Sequence, residues 1–374
     1  MKVIDRGTVF AGKKDTDCQS CTFPWICILP NGRWICVFRA APTKAATKGQ
    51  HVLVTWSDDE GQSWCDPINP FVAPSIENKP GLFHGAYLTV LGEHKILATL
   101  RWIDYSDPSL PFFNEQTGGV LDTRIFLTKS ENDGLSWSKP ELMDTSPFNM
   151  PVSITGPILL LPNGDFACQF ELNKPYYDTS VPSHSSVLMF SKDGGKSWPE
   201  YVITSHDPSN RIFYWDQRPA VLANGTILNF FWPYDNQTNL YLNIHARESL
   251  DSGRTWSPMW DTGVTGQPSP PVSLPDGRIA MAYVDRTDVP VIKIRTSQDN
   301  GRTWPDETEV VIYQSEGDTQ TGKRMSMKDA WAEMFKFSMG LPQLVLLENG
   351  DILVVYYAGQ EIDCTDIQWV RIRI

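Results

Sequence analysis

Ser57-Asp58-Asp59-Glu60-Gly61-Gln62-Ser63-Trp64 is the first of five copies of one eight-residue pattern, Ser-x-Asp-x-Gly-x-Ser/Thr-Trp. The others run from Ser130 to Trp137, Ser191 to Trp198, Ser249 to Trp256 and Ser297 to Trp304, with Asn132 replacing the acid in the second. Successive copies start 73, 61, 58 and 48 residues apart. A pattern recurring at that spacing is the mark of an array of supersecondary units. In each copy the short acid accepts bonds from backbone N–H groups of its own turn, glycine supplies an unusual backbone angle, and tryptophan supplies a large apolar ring. The repeated aspartates therefore read as structural, since a catalytic centre needs one asymmetric constellation.

A second signature interleaves with the first. Leu29-Pro30-Asn31-Gly32, Leu161-Pro162-Asn163-Gly164, Leu222-Ala223-Asn224-Gly225, Leu274-Pro275-Asp276-Gly277 and Leu347-Glu348-Asn349-Gly350 lie between apolar runs, and Leu91-Gly92-Glu93-His94 is a degenerate sixth copy. Asn-Gly and Asp-Gly tolerate positive φ and signal tight hairpins. Each unit thus predicts strand, turn, strand, loop, strand, Asp-containing turn and a fourth strand. Six such units predict an all-β fold, a six-bladed β-propeller of four-stranded blades forming one domain over residues 1–374. The last unit has no Asp motif, and the stretch from Val3 to Phe10 is expected to complete it, closing the ring with both termini.

Composition narrows the function classes. The 374 residues are 41% hydrophobic and 20% charged, with 14 Trp, enough apolar material for a large core and too aromatic for disorder. A net charge of −12 argues against nucleic acid, which rewards clustered Lys and Arg. No apolar run approaches the roughly 20 residues of a membrane helix. Seven cysteines, an odd number, with no signal segment before Val3 suggest free thiols and a cytoplasmic location. Cys18 and Cys21 form a lone C-x-x-C without a second zinc-spaced pair, so thiols are expected there. Cys27 and Cys36 flank one hairpin, and a disulfide between them is left open. No motif calls for a metal or organic cofactor, and self-association into a homo-oligomer is left open too.

Five Asp boxes on this layout resemble the sialidase (neuraminidase) superfamily of Asp-box, or BNR-repeat, proteins, over essentially the whole chain. The resemblance implies the propeller and a site in its central channel. Counting from the hairpin glycines, the channel-facing starts of inner strands are Thr22, His84, Thr155, Asp216 with Arg218, Gln267 and Ser338. The ends of the next strands are Arg39, Arg101, Glu171, Trp232, Asp285 with Arg286, and Tyr357, with Asp104, Tyr234, Asp235 and Glu361 just beyond. Arginine, carboxylate and aromatic residues converging in this way suit an anionic or polyhydroxylated sugar.

Sialidases bind a carboxylate with three arginines, attack with a Tyr activated by Glu, and protonate with Asp. In this chain the first arginine's position is Thr22-Phe23-Pro24, and the loop that carries the acid, Ala40 to Gln50, has no carboxylate. Asp216 corresponds to the family's Glu, while Trp232 stands at another arginine's position and Leu341 near the tyrosine's. The exo-arabinanases, which the chain also resembles, use paired carboxylates in the channel. Glu171 and Asp216, from neighbouring units, are the matching pair: one carboxyl group protonates the leaving oxygen and the other attacks or activates water. Asp285 and Asp235 are substitutes for either role.

The expected function is an exo-acting glycoside hydrolase releasing a terminal sugar by residues other than the usual sialidase set. Catalysis would rest on Glu171, Asp216 and Asp285. Arg39, His84, Arg101, Arg218, Trp232, Tyr234, Gln267, Arg286 and Tyr357 would bind the carbohydrate. Rival readings are a uronate lyase with His84 or a Tyr as base, and a non-catalytic glycan-binding propeller. Two segments break the strand rhythm. Ser326-Met327-Lys328-Asp329 predicts a helix start, with Trp331, Met334 and Phe335 at helical spacing, as a lid, a subunit contact or a flank. Ile103 to Gly119 is a polar-aromatic insertion expected to narrow the pocket.

Overall fold

The computed structural model describes residues 1–315, 329, 333–334 and 336–374. Its strands form a cycle of antiparallel meanders. Ser20–Ile28, Trp34–Ala41 and His51–Ser57 make the first, and Gly81–Val90, Ile96–Asp104, Thr123–Ser130 and Glu141–Leu142 the second. The third is built on Phe166–Leu172, Ser185–Ser191 and Glu200–His206, with Val152–Ile154 and Leu159–Leu160 along its inner edge. The fourth holds Ile212–Val221, Ile227–Asp235, Asn243–Ser249 and Trp260–Thr265. In the fifth, Ile279–Asp285, Val291–Ser297 and Val310–Gln314 follow the short pieces Gln267–Pro268 and Val272–Ser273.

The last meander, Met339–Leu346, Ile352–Glu361 and Cys364–Arg373, takes Lys2–Phe10 as its outer strand, with Lys2 opposite Arg373 and Phe10 opposite Ile367. The N-terminal strand thus completes the last meander, as expected. This meander also touches the first through one parallel bridge, Ser20 to Thr365. By pairing, the strands therefore group into sheets of seven, five, five, five and four strands. The fold is an all-β propeller, and pairing merges the expected first and last blades into one sheet.

The core lies between successive meanders. One cluster joins Ile35, Val37 and Val54 to Leu88, Ala98, Leu100 and Phe126 of the next meander, and another joins Leu353 and Val355 to Cys36 and Phe38. Trp34–Ala41 is buried at every position, as a strand covered on both faces must be. Cys27 and Cys36 face different neighbours. Cys27 pairs with Ile35 and Cys36 with Ile26, so pleat alternation sends the two thiols to opposite sides. All seven cysteines are free, which removes the disulfide left open above.

The repeated motif fastens each meander to the one before it. Asp59 accepts the Ser63 N–H at 2.8 Å, Ser57 Oγ accepts the Gly61 N–H at 2.8 Å, and Trp64 Nε1 donates to Gly61 O at 3.2 Å. Asn132 keeps the turn by accepting the Ser136 N–H at 3.0 Å and donating Nδ2 to Ser136 Oγ at 2.9 Å. A Cβ on Gly134 would approach Ile35, one on Gly301 would approach Leu228, and one on Gly61 would approach Trp34 and Trp369. The first box thus packs on the C-terminal strand, across the closure.

The expected helix start at Ser326 to Lys328, with Trp331 and Phe335, lies outside the described residues. Asp329, Glu333 and Met334 are helical. Among the described residues no helix is long and apolar enough to cross a membrane.

Candidate functional site

Bulges in the inner strands aim side chains into the centre. Register slips occur between Thr22 and Trp25, Phe83 and Gly85, Trp215 and Arg218, and Gly340 and Gln343. Phe23, Asp216 and Leu341 sit at these slips with φ of 53°, 52° and 50°. A left-handed backbone at a bulky residue is uncommon, and a bulge that re-aims a side chain is a recurrent device beside binding sites. Phe23, His84, Asp216 and Leu341 all line one central cavity of about 170 Å³.

Nine of the twelve residues singled out from sequence line that cavity: His84, Arg101, Glu171, Asp216, Arg218, Trp232, Gln267, Arg286 and Tyr357. Three do not. Arg39 is fully buried behind the wall, donating Nε to Gln50 Oε1 at 2.6 Å, and burial pulls its pKa down to about 10. Tyr234 is enclosed in an aromatic cluster, stacked on Trp215 at 5.1 Å with its hydroxyl donating to Asn239 at 3.1 Å. Asp285 turns back on its own loop, accepting the Thr287 N–H at 3.0 Å and pairing with Lys293 at 3.3 Å. Asp235, the other substitute, is held by Arg211 at 2.7 Å and caps the following turn.

Glu171 and Asp216 are brought together through adjacent strands. Glu171 Oε1 accepts the backbone N–H of Gln217 at 3.2 Å, and its Oε2 lies 3.4 Å from His184 Nε2. Asp216 Oδ1 lies 3.2 Å from Arg218 Nη2, and Oδ2 accepts from Gln267 Nε2. The same Gln267 accepts Arg286 Nη1 at 2.9 Å through Oε1, so the amide passes a hydrogen bond from guanidinium to carboxylate. Arg218 and Arg101 donate to the backbone carbonyls of Thr155 and Ile154, which fixes both guanidinium groups on the rim of the third meander.

Arg286 lies 4.0 Å over the Phe337 ring, and desolvation lowers its pKa. Lys44 donates to Met334 O at 2.7 Å and contacts Tyr357 Oη at 3.2 Å. Burial, then Arg286 and Arg39, push its pKa well below the usual lysine range. Burial pushes the Tyr357 hydroxyl up to about 12.

His84 stacks on Phe112 at 5.2 Å and 5°, with Nδ1 3.0 Å from Gln50 Oε1. Because Gln50 Oε1 also accepts from Arg39, the His84 proton sits on Nδ1 and leaves Nε2 as an acceptor. Burial, then Arg39 and Arg101, hold the ring's pKa well below 6.5.

The strand count did not select Lys44, Phe112, Trp215, Phe23 or Leu341, all cavity-lining, although Phe112 lies in the insertion expected to narrow the pocket. Lys44 and Phe112 arrive on loops between strands, where the hairpin count has no register. Phe23 and Leu341 were within reach, since Phe23 adjoins Thr22 and Leu341 stands near the position of the family's tyrosine. Basic side chains outnumber acids at this wall, with Lys44, Arg101, Arg218 and Arg286 against Glu171 and Asp216. Among the described residues no group of three or more His, Cys, Asp or Glu is placed to hold a metal ion.

Fold and cavity together define an Asp-box β-propeller whose centre sets arginines and two carboxylates among aromatic side chains. The model of the BNR repeat-like domain matches residues 109–354, and the chain belongs to that family. This bears out the resemblance to the sialidase superfamily. No curated protein matches the sequence.

Among solved structures, a protein of unknown function from Dyadobacter fermentans DSM 18053 is 19% identical, covering 98% of this chain and 99% of that one at a TM-score of 0.72. The Hadza microbial sialidase Hz136 is 16% identical, covering 96% and 66% at 0.65. An alpha-L-arabinanase of Penicillium chrysogenum, solved with arabinobiose, is 17% identical, covering 99% and 98% at 0.64. At these identities the likeness is one of fold.

Proposed function

We propose that the protein is an exo-acting glycosidase that removes a terminal, negatively charged sugar in the central cavity of a single six-bladed propeller domain. In this reading the seven-stranded sheet is two blades joined at the Ser20–Thr365 bridge. The observation that carries it is the arrival of two carboxylates, Glu171 and Asp216, in one cavity with Arg101, Arg218, Arg286 and Lys44. Asp216, held from two sides by Arg218 and Gln267, takes the role of the group that attacks or activates water. Glu171, beside His184, takes that of the proton donor. Arg101 and Arg218, fixed by backbone carbonyls, orient the sugar's anionic group, and Trp232 offers an apolar face. A released-sugar screen over sialosides, uronides and arabinosides tests this. Release from an anionic glycoside supports the reading, and no release from any of them sinks it.

One observation favours a second reading. A neutral His84 with an acceptor nitrogen, beside arginines, is equipped to take a proton next to a uronate carboxylate, as a lyase does. An ultraviolet-absorbing unsaturated product would select it. We also propose a cytoplasmic location, a reading that the odd number of cysteines supports.

A further inference from the structure

A groove runs outward from the central cavity and ends on two tyrosines. Phe112 and Ala45 belong to both the cavity and a neighbouring hollow of about 550 Å³. Leu110, Tyr176 and Tyr177 in turn join that hollow to another of about 450 Å³. The path thus leads from the Phe112 ring, stacked on His84, over the loop after Ile96–Asp104 to the loop after Phe166–Leu172.

These two loops are built as one body. Val120 pairs with Pro175 in a parallel bridge, and its N–H donates to Lys174 O at 2.9 Å. Asn114 Nδ2 and Thr117 Oγ1 both donate to Tyr176 O, at 2.9 and 2.6 Å. A Cβ on Gly119 would stand 2.1 Å from Pro175 O, so only glycine lets the backbones approach this closely. On this fixed base Tyr177 is 72% exposed, its ring edge-on to Tyr176 at 5.0 Å. An exposed aromatic ring on a braced loop, contiguous with the central cavity, is a preorganised stacking surface.

We propose that this groove is the leaving-group subsite. It takes the sugar units that follow the terminal residue of the same glycan chain, their apolar faces packing on Tyr177, Tyr176 and Phe112. The inference rests on the glycosidase reading and deepens it: the substrate is an oligosaccharide or polysaccharide end. Tyrosine suits such an occupant because it joins an apolar ring to a hydroxyl that bonds in water. Glu115 lines the same hollow with a carboxylate that suits sugar hydroxyls.

The test is calorimetric binding to the Glu171→Gln protein. The probes are galacturonate and arabinose oligomers of one to four units, and sialic acid against sialyllactose. Affinity should rise about five- to tenfold from one unit to three in at least one series, a gain of the size expected for stacked rings. Tyr177→Ala should abolish that gain and leave monosaccharide affinity unchanged, while Tyr177→Phe should retain it. Equal affinity at all lengths, or a gain that survives Tyr177→Ala, overturns the subsite and leaves the glycosidase reading standing. No binding at any length overturns both.

Discussion

Glu171 accepts the backbone N–H of Gln217 at 3.2 Å, one residue beyond Asp216. The two acids are therefore coupled through main chain: the third meander's strand end grips the fourth meander's bulge. Gln217 is itself locked, donating its side-chain amide to Phe170 O at 2.8 Å and Val187 O at 2.9 Å. This buried glutamine holds the left-handed turn that aims Asp216 into the cavity.

Gln267 is the second brace. Gln267→Leu keeps the volume but leaves Arg286 Nη1 and Asp216 Oδ2 without their shared partner. Stability should fall by about 1–3 kcal/mol, the range for a buried polar group stripped of its bond. Urea denaturation checks this, and a loss of sugar release larger than the loss of folded protein would mark Gln267 as a positioning residue.

The Asp boxes predict acid behaviour. The bonds from Ser63 and Ser57 hold Asp59 near a pKa of about 2, against an ordinary 3.8. A depressed carboxylate adds stability that is fully present above its unfolded value and is lost as pH falls through its folded one. Asp59→Asn, which copies the arrangement of Asn132, should therefore flatten the loss of stability between about pH 4 and pH 2. Chemical denaturation at stepped pH reads this directly, and an unchanged acid limb would contradict it.

His84 acts in a higher window by the same rule. Its folded pKa lies well below 6.5, so folding favours the neutral ring. The associated stability is present above the unfolded value and declines as pH drops below about 6.5. His84→Gln should remove that slope, and NMR of the ring nitrogens should find Nε2 unprotonated at pH 6.

Gly119→Ala places a methyl group against Pro175 O, 2.1 Å from it before relaxation. Backbone on both sides must shift, and the cost should be about 1–3 kcal/mol, typical of overpacking. Limited proteolysis should then cut within residues 105–120 or 173–182 sooner than in the parent protein.

Much of the fold was readable because its signals are local and repeated. The hairpin glycines all adopt positive φ, from 84° to 87° at Gly32, Gly164, Gly225, Gly277 and Gly350, as Asn-Gly and Asp-Gly turns require. Counting from them put Glu171, Asp216 and nine other residues on the cavity wall. The count failed where a strand's last side chain found a closer partner, as Asp285 did in Thr287 and Lys293. It failed for Arg39 because Gln50, on a distant part of the loop, draws the guanidinium inward. Tyr234 lies on a strand buried at every position, where alternation no longer separates channel from core. Lys44, Phe112 and the Tyr176–Tyr177 pair sit on loops whose course depends on contacts between meanders.

The most direct measurement is the rate of sugar release from an anionic oligosaccharide by the parent protein, Glu171→Gln and Asp216→Asn. Loss of a nucleophile or a general acid–base group should lower the rate by at least about 10²–10⁴-fold. Both variants should fall that far while keeping the parent's denaturation midpoint. Full activity in both would show that the chemistry lies elsewhere in the propeller.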